Sequence, residues 1–478
     1  MLEKAQIEQT EDKDSILKIE PEEEKRLVRK LDLRILPITC FLYLLAYLDR
    51  SNLGNARLQG LPADVLGGDP TGLLFEWVNS AFFFSYIIFQ VPATVVSKLF
   101  PPSYWMAVAA AGWGICSTLA STAFNFGGLI TVRVGLGVFE AAFGPSIPLY
   151  YSFFYTRNEM GLRLAYWFGF AAVAGAFGGL IAYGVQQAEV PIENWRLLFI
   201  IEGIPAVLLG LLAAFALPNR PEATNFFNER ERVIALERMN RGTRADTGAV
   251  INKGHIIKAL KDWRIYTCGI IYFGVNCALG SLGGFLPTII ASFGYTNARA
   301  QLLTVPPYAV AAVFLTGISW FTDRLQSRGL TVAGSCGLGA LGYLLLVVSL
   351  NDHVRYFAVF CITTGTYTSI GIIIAWFAHN LGSETKKAAG IPMFMAIGQG
   401  GSILGSHIYP TTDAPRYILG NAVCCGLEGL AMILSIVLYL SFRMENNRRN
   451  RKYGVPNPDD PVDTAELADK APMFRYIP

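Results

Sequence analysis

The chain has 478 residues, of which 53% are hydrophobic and only 16% charged, with a formal net charge of +3 and a mean hydropathy of +0.39. Soluble domains carry about a quarter charged residues, so this composition and the repeated long apolar runs exclude an ordinary soluble enzyme. The small net charge, with no basic patch interleaved with aromatics, excludes a nucleic-acid partner and leaves the lipid bilayer as the first partner to consider.

Residues 1–33 form a polar tail dense in Glu, Lys and Arg, without the apolar region and cleavage site of a signal peptide. The first span is therefore expected to act as its own insertion signal, and the stretch from Pro21 to Leu31 reads as a short helix leading into it. An apolar run of about 20 residues is long enough to cross a bilayer. Six such runs follow, over about 34–54, 75–97, 104–123, 127–155, 163–187 and 196–217. Residues 218–263 are a polar linker in which Val233, Leu236 and Met239 share one side of a surface helix. Six further runs cover about 264–290, 300–321, 330–350, 355–381, 388–409 and 416–442. The tail 443–478 is polar and expected to be disordered after Asn457.

The expected fold class is thus an all-α membrane protein of twelve transmembrane helices in two six-helix bundles, 34–217 and 264–442, joined by the linker. Lys and Arg gather in both tails, the linker and the short loops on the same side, while the opposite side holds Arg57, Arg196, Arg299, Arg355 and Arg416. That asymmetry places both tails and the linker in the cytoplasm, with the plasma membrane as the expected location. All eight cysteines fall in spans without metal or redox spacing. No metal and no cofactor is expected, and no nucleophile with a paired base or nucleotide loop points to an enzyme.

Two spans carry the chemistry. In span 1, Tyr43, Tyr47 and Arg50 lie on one face, and Asp49 precedes Arg50. In span 4, Arg133, Gly137, Glu140 and Gly144 follow at i, i+4, i+7 and i+11, so they also share a face. Arg133 and Glu140 stand roughly 10 Å apart along the axis and need partners from elsewhere. Ionisable groups inside a bilayer cost about 2.5–3.5 kcal/mol each on insertion scales and mark functional sites. The planar, permanently charged guanidinium suits a carboxylate substrate, and a carboxyl whose desolvation and neighbours change can load and release a proton. The alternative is a buried four-charge network that only fixes helix packing. Asp49 and Arg50 point about 100° apart, so Arg50 with Tyr47 is expected to face the substrate path and Asp49 to face span 4 and Arg133.

The second half offers Tyr272, Asn276, Tyr308, Tyr367, Trp376, His379, Asn380, Gln399, Ser402 and His407 as isolated polar or aromatic groups in spans. Glu202 and Glu428, near helix ends or glycines, read as structural. Between spans 8 and 9, Asp323, Arg324 and Arg328 have the make-up of a gating latch, an acid at a helix end with two bases beside it.

With these residues on the page, the chain resembles the major facilitator superfamily. More narrowly, Arg34-Ile-Leu-Pro, Tyr47 to Asn55, Arg133 to Glu140, Trp195 to Gly203 and Ile408-Tyr-Pro with Asp413 to Tyr417 resemble its anion:cation symporter family, the allantoate permease group of fungi above all. The resemblance implies proton-driven uptake of a small organic anion such as allantoate, ureidosuccinate, nicotinate or a related vitamin or nitrogen source. It implies that Asp49 and Glu140 carry protons and that Arg50, Arg133 and Tyr47 serve the substrate path. Asn276, Asn380 and Gln399 are carried as further substrate contacts, Gln399 keeping the amide that the family often has as Asn. The latch between spans 2 and 3 lacks its acid, since Val96-Ser97-Lys98 stands there. A monomer is expected. Uniport, export, or a non-transporting nutrient sensor that signals through its tails are the alternatives.

Overall fold

The computed structural model describes residues 19–156, 159–244, 252–325, 327–457 and 462–478, without the side chains of 240–244, Asp323 and Leu325. Twelve long helices dominate the described residues: α1 Pro21–Leu58, α2 Leu73–Ser97, α3 Pro102–Ala120, α4 Phe126–Phe143, α5 Met160–Gln186, α6 Asn194–Ala216, α7 Trp263–Ala291, α8 Val305–Leu325, α9 Arg328–Val348, α10 Asp352–Asn380, α11 Glu384–Ser406 and α12 Ile418–Tyr453. Ten of the apolar segments are long and apolar enough to cross a membrane. α3 and α11 fall short of that standard yet occupy the remaining two places. α11 is polar because its buried face carries Gln399, Ser402 and Ser406.

Local chemistry sets the helix ends. Pro21 opens α1 with Glu22, Glu23 and Glu24 in its first turn, where a proline lacks no needed N–H and acids favour the dipole. Asn125 caps α4 by accepting from Gly128 N at 2.7 Å, and Ser383 caps α11 by accepting from Lys386 N at 3.1 Å. Gly144-Pro145 interrupts α4, and the chain resumes as the short helix Ser146–Tyr151.

Three expectations need correction. α1 has 38 residues, about 57 Å at 1.5 Å per residue, and so runs unbroken from Pro21 through the membrane rather than starting near 34. α12 likewise continues to Tyr453. The third concerns the C-terminal tail, expected to be disordered after Asn457. Residues 462–478 are packed against the linker face. Val462–Asp463 pairs in parallel with Thr243–Arg244 of the linker. Tyr476 stacks on Phe442 with centroids 4.9 Å apart, and Arg449 Nη1 donates to the carbonyls of Asp469, Ala471 and Phe474 at 2.9, 3.2 and 2.8 Å. The tail is polar in composition, but its few aromatics are buried and one arginine satisfies its backbone.

Within the first half, α1 packs on α5 and α6, α2 on α4, and α3 on α4 and α6; within the second, α7 packs on α11 and α12, α9 on α10 and α12, and α8 on α10. The halves meet through α1–α7, α2–α11, α5–α8 and α5–α10. Gly54 permits the α1–α7 crossing: a Cβ there would stand 2.6 Å from the Gly283 carbonyl oxygen. The linker helix Glu229–Gly242 is tied to the first turns of α1 by Lys30–Glu231 at 2.8 Å and Arg230–Glu23 at 2.7 Å. The linker helix Lys253–Leu260 docks on α11.

Lys386 at the start of α11 is fully buried and bridges Asp262 and Asp469 at 2.6 Å each. Removing one member of such a cluster strands buried charge, at a cost of about 3–5 kcal/mol. Lys386→Met is therefore expected to lower the melting temperature of the detergent-solubilised protein clearly and to release the tail to limited proteolysis. An unchanged melting temperature and cleavage pattern would remove this cluster from the account.

Candidate functional site

The charged groups of α1 and α4 meet inside the first bundle. Arg50 donates through Nε to Glu140 Oε2 at 2.6 Å, with Nη2 2.5 Å from the same oxygen. Glu140 is buried, whereas the Arg50 side chain keeps 16% exposure. The Arg50 guanidinium lies 5.0 Å from the ring centroids of both Phe82 and Tyr86 of α2, a cation–π setting that holds it in place. α2 comes this close because α4 offers Gly137, where a Cβ would stand 2.3 Å from the Phe82 carbonyl oxygen.

Asp49 is fully buried and points to neither lipid nor the cavity. Its Oδ1 accepts a short hydrogen bond from Ser117 of α3, and its Oδ2 has no hydrogen-bond partner. Arg133 reaches Asp49 through the backbone carbonyl, at 3.4 Å, rather than through the carboxylate. Arg133 is buried, leaves Nε without a partner, and sits 5.7 Å from the Phe82 ring. The expected face-to-face pairing of Asp49 with Arg133 is thus only partly realised. The direct ion pair is the crossed one, Arg50 with Glu140.

A cavity of about 30 Å³ lies between the bundles, lined by Tyr47, Arg50, Asn79, Asn276, Gln399 and Ser402 among others. Sites for organic ligands have roughly 300 Å³ or more, so the walls stand contracted in this conformation. Tyr367 Oη donates to Tyr47 Oη at 2.8 Å across the interface. The Ser402 hydroxyl lies 3.3 Å from Gln399 Oε1 and 3.2 Å from the Asn276 carbonyl, and Asn276 Nδ2 donates to Tyr272 O at 2.8 Å. Of the residues singled out in the sequence as substrate contacts, Tyr47, Arg50, Asn276 and Gln399 line this cavity.

Two do not. Arg133 lies behind the wall, beside Asp49. Asn380 stands at the linker end of α10, where Nδ2 donates to Ile477 O and Oδ1 accepts from Ile477 N, both at 2.9 Å. Its amide belongs to the anchorage of the tail. Of the latch residues, the two arginines differ in setting. Arg324 is exposed and stacks on Trp320 at 3.9 Å, and Arg328 is buried with Nη1 2.8 Å from His379 Nδ1. The side chain of Asp323 lies outside the described residues.

Charge contacts between the halves on the linker face come from residues the sequence did not flag as a gate. Lys98 at the end of α2 donates to Thr385 Oγ1 at 3.0 Å and lies 3.8 Å from Glu384 Oε2, and Arg220 approaches Glu384 Oε1 at 3.6 Å. The acid missing after span 2 is supplied by the other bundle. On the opposite face Asn79 Nδ2 donates to Ser406 Oγ at 2.7 Å, and Ser80 meets His407 at 3.3 Å. Asn79, a lone amide in an apolar run, was the legible signal there. Polar contacts thus join the two halves on both faces of the molecule.

A twelve-helix protein with a polar cavity between two bundles, walled in part by a buried ion pair, has the build of an alternating-access transporter. The profile of the Major Facilitator Superfamily matches residues 39–406, and the chain belongs to that superfamily. It is a membrane transporter, not an enzyme. It is 32% identical over 470 residues to the "Major facilitator-type transporter hxnP" of Emericella nidulans, covering 96% of this chain and 94% of that one. It is 30% identical to the "High-affinity nicotinic acid transporter" of Saccharomyces cerevisiae, covering 95% and 85%. Among solved structures, the proton:xylose symporter XylE aligns with a TM-score of 0.66 at 13% identity over 93% of this chain and 98% of that one. The human organic anion transporter MFSD10 aligns with a TM-score of 0.62 at 14% identity over 85% and 99%. At such identities the structural likeness establishes the fold alone.

The linker-face contact predicts a charge-reversal pattern. Lys98→Glu places two acids against each other and is expected to cut transport several-fold, and Lys98→Glu with Glu384→Lys to restore part of it. Uptake by membrane vesicles checks this, and a double variant no better than the single one would show that the contact does not gate.

Proposed function

We propose that the protein is a proton-coupled symporter of a small organic anion, a monocarboxylate of the size of nicotinate. The single observation that carries this reading is the Arg50–Glu140 pair at the cavity wall, with Arg50 partly exposed and Glu140 buried behind it. One cation that faces the cavity is held by one acid that can be neutralised. When Glu140 is ionised, its carboxylate occupies the guanidinium. When it takes a proton, the O–H bond formed removes its charge and Arg50 becomes free to bind a substrate carboxylate in the same forked geometry. Proton and anion therefore load together, and the charge in the site stays balanced throughout. Discharge follows in reverse: deprotonated Glu140 reclaims Arg50 and displaces the anion.

Tyr47 and Tyr367 meet across the interface and must separate when the bundles rock, which couples substrate entry to opening. Arg133 acts from behind the wall by holding the α1 backbone at Asp49. The distribution of Lys and Arg supports a cytoplasmic position for both termini and the linker, and the plasma membrane is part of the proposed reading. A single chain contains the whole site, so a monomer suffices.

The relative named for nicotinic acid motivates nicotinate as the first probe, followed by allantoate and ureidosuccinate. Uptake of labelled nicotinate into a transport-deficient host is expected to exceed equilibrium with an inward proton gradient and to fall to equilibrium when the gradient is collapsed. Glu140→Gln is expected to abolish accumulation, and Arg50→Lys to weaken uptake at least ten-fold because an ammonium cannot reproduce the fork. Uptake that survives collapse of the gradient would favour uniport or export, and accumulation by Glu140→Gln would remove Glu140 from the coupling.

A further inference from the structure

The site described above contains two arginines and two acids, but the first bundle buries a third acid beside them. Glu202 of α6 is 1% exposed, and neither of its carboxyl oxygens has a hydrogen-bond partner of ordinary geometry. Asn52 of α1 is fully buried, and its amide nitrogen and oxygen are both without such a partner. Asn52 follows Asp49 by three residues, one turn along the same face of α1, and α1 packs against α6. The polar groups that act on the Glu202 carboxyl are the Asn52 amide and the Asp49 carboxyl.

Charge balance then constrains the cluster. Arg50 and Glu140 neutralise each other. What remains is one cation, Arg133, and two acids, Asp49 and Glu202. α3 brings no charged residue to this place, only hydroxyls, with Ser117 bonded to Asp49 and Thr118 bonded to Gly114 O. α5 also borders α6, and its charged residue, Arg163, is committed to Asp32 at the far end. α6 itself offers Arg196, paired with Asp64 at the linker-distal face. Two ionised carboxylates against one guanidinium would leave an uncompensated buried charge, which costs several kcal/mol. One of the two acids must therefore be neutral.

We propose that Asp49 and Glu202 share one proton across the α1–α6 contact, which makes Glu202 a third proton-holding carboxyl of the transporter. This rests on the proton-symport reading above. The two carboxyls are not hydrogen-bonded to each other here, so the shift requires them to approach; the O–H bond of one then breaks as that of the other forms, charge moves between the two acids, and the cluster total is unchanged. Glu202 lies six residues, about 9 Å, along α6 from Arg196. Arg196 in turn is bonded at the linker-distal face to Asp64 at 2.8 Å and to Ser121 O at 2.6 Å. The sequence of polar groups Asp64–Arg196, Glu202–Asn52, Asp49–Ser117 and Arg133 thus leads from that face to the back of the substrate wall. It keeps the proton route separate from the anion cavity.

The test uses the full-length protein in liposomes and reads the infrared carboxyl region, with glutamate or aspartate carboxyl-labelled in separate preparations. At neutral pH, a band of a protonated carboxyl is expected, and Glu202→Gln should remove its glutamate component. The same variant, in nicotinate uptake, should shift the pH of half-maximal rate by at least one unit relative to wild type. Absence of any protonated-carboxyl band in the wild type would overturn the proposal. So would loss of the band in Glu202→Gln with an unchanged pH profile, since the residue would then be structural. If the variant does not fold, the labelled wild type and Glu202→Asp decide the first point, and the pH profile of Glu202→Asp the second. If wild-type uptake proves independent of the proton gradient, the symport reading falls, and the band still decides whether a proton is stored.

Discussion

The molecule is organised around a guanidinium that cannot be left unpaired inside a membrane. Arg50 sits at the wall of the central cavity, and the low-dielectric interior allows it to exist there only with a counter-charge. Glu140 supplies that charge from α4, and two aromatic rings of α2 hold the cation between them. To bring these groups together, α1, α2 and α4 must pack tightly, and Gly137 makes that possible. The ion pair is therefore both a packing element and a lock. Its stabilising contribution is small in net terms, because desolvation offsets most of the Coulomb gain. In the proposed cycle, its value lies in being exchangeable for another carboxylate.

The second constraint is that the bundles meet along four helix pairs and few of the contacts between them are polar. Between bundles, the polar contacts include Tyr47–Tyr367 at the middle, Lys98 and Arg220 with Glu384 on one face, and Asn79–Ser406 on the other. Each such contact has a net worth of roughly 1 kcal/mol. Breaking the polar contacts of one face leaves the ion pair inside the first bundle in place. The linker and the C-terminal tail add a brace on one side only, with the tail fastened to α10, α11 and α12.

Much of the fold was legible because a bilayer forces it: apolar runs of span length must be helices, and twelve runs split by a polar linker were expected at these places. What escaped was what the pattern does not encode. The start of α1 is amphipathic rather than apolar, so its continuity with the span was hidden. The tail looked disordered because its order comes from distant partners, Arg449 and Phe442, rather than from its own hydrophobicity. In the site, Tyr47, Arg50, Asn276 and Gln399 were found because a polar group in a span has few reasons to be there. Asn380 was misassigned by the same reasoning, since a helix-end amide serves a loop equally well. Lys98 and Glu384 were missed because they sit in different bundles, and one sequence carries no sign of which helices face each other.

The central claim is that the carboxylate of Glu140 and that of the substrate compete for Arg50. Equilibrium binding of nicotinate to the purified protein as a function of pH tests this most directly. The account predicts that affinity weakens as pH rises in the wild type, because ionised Glu140 reoccupies the guanidinium, and that Glu140→Gln binds tightly with a flat pH profile. Binding that is independent of pH in the wild type, or that keeps its pH dependence in Glu140→Gln, would contradict it.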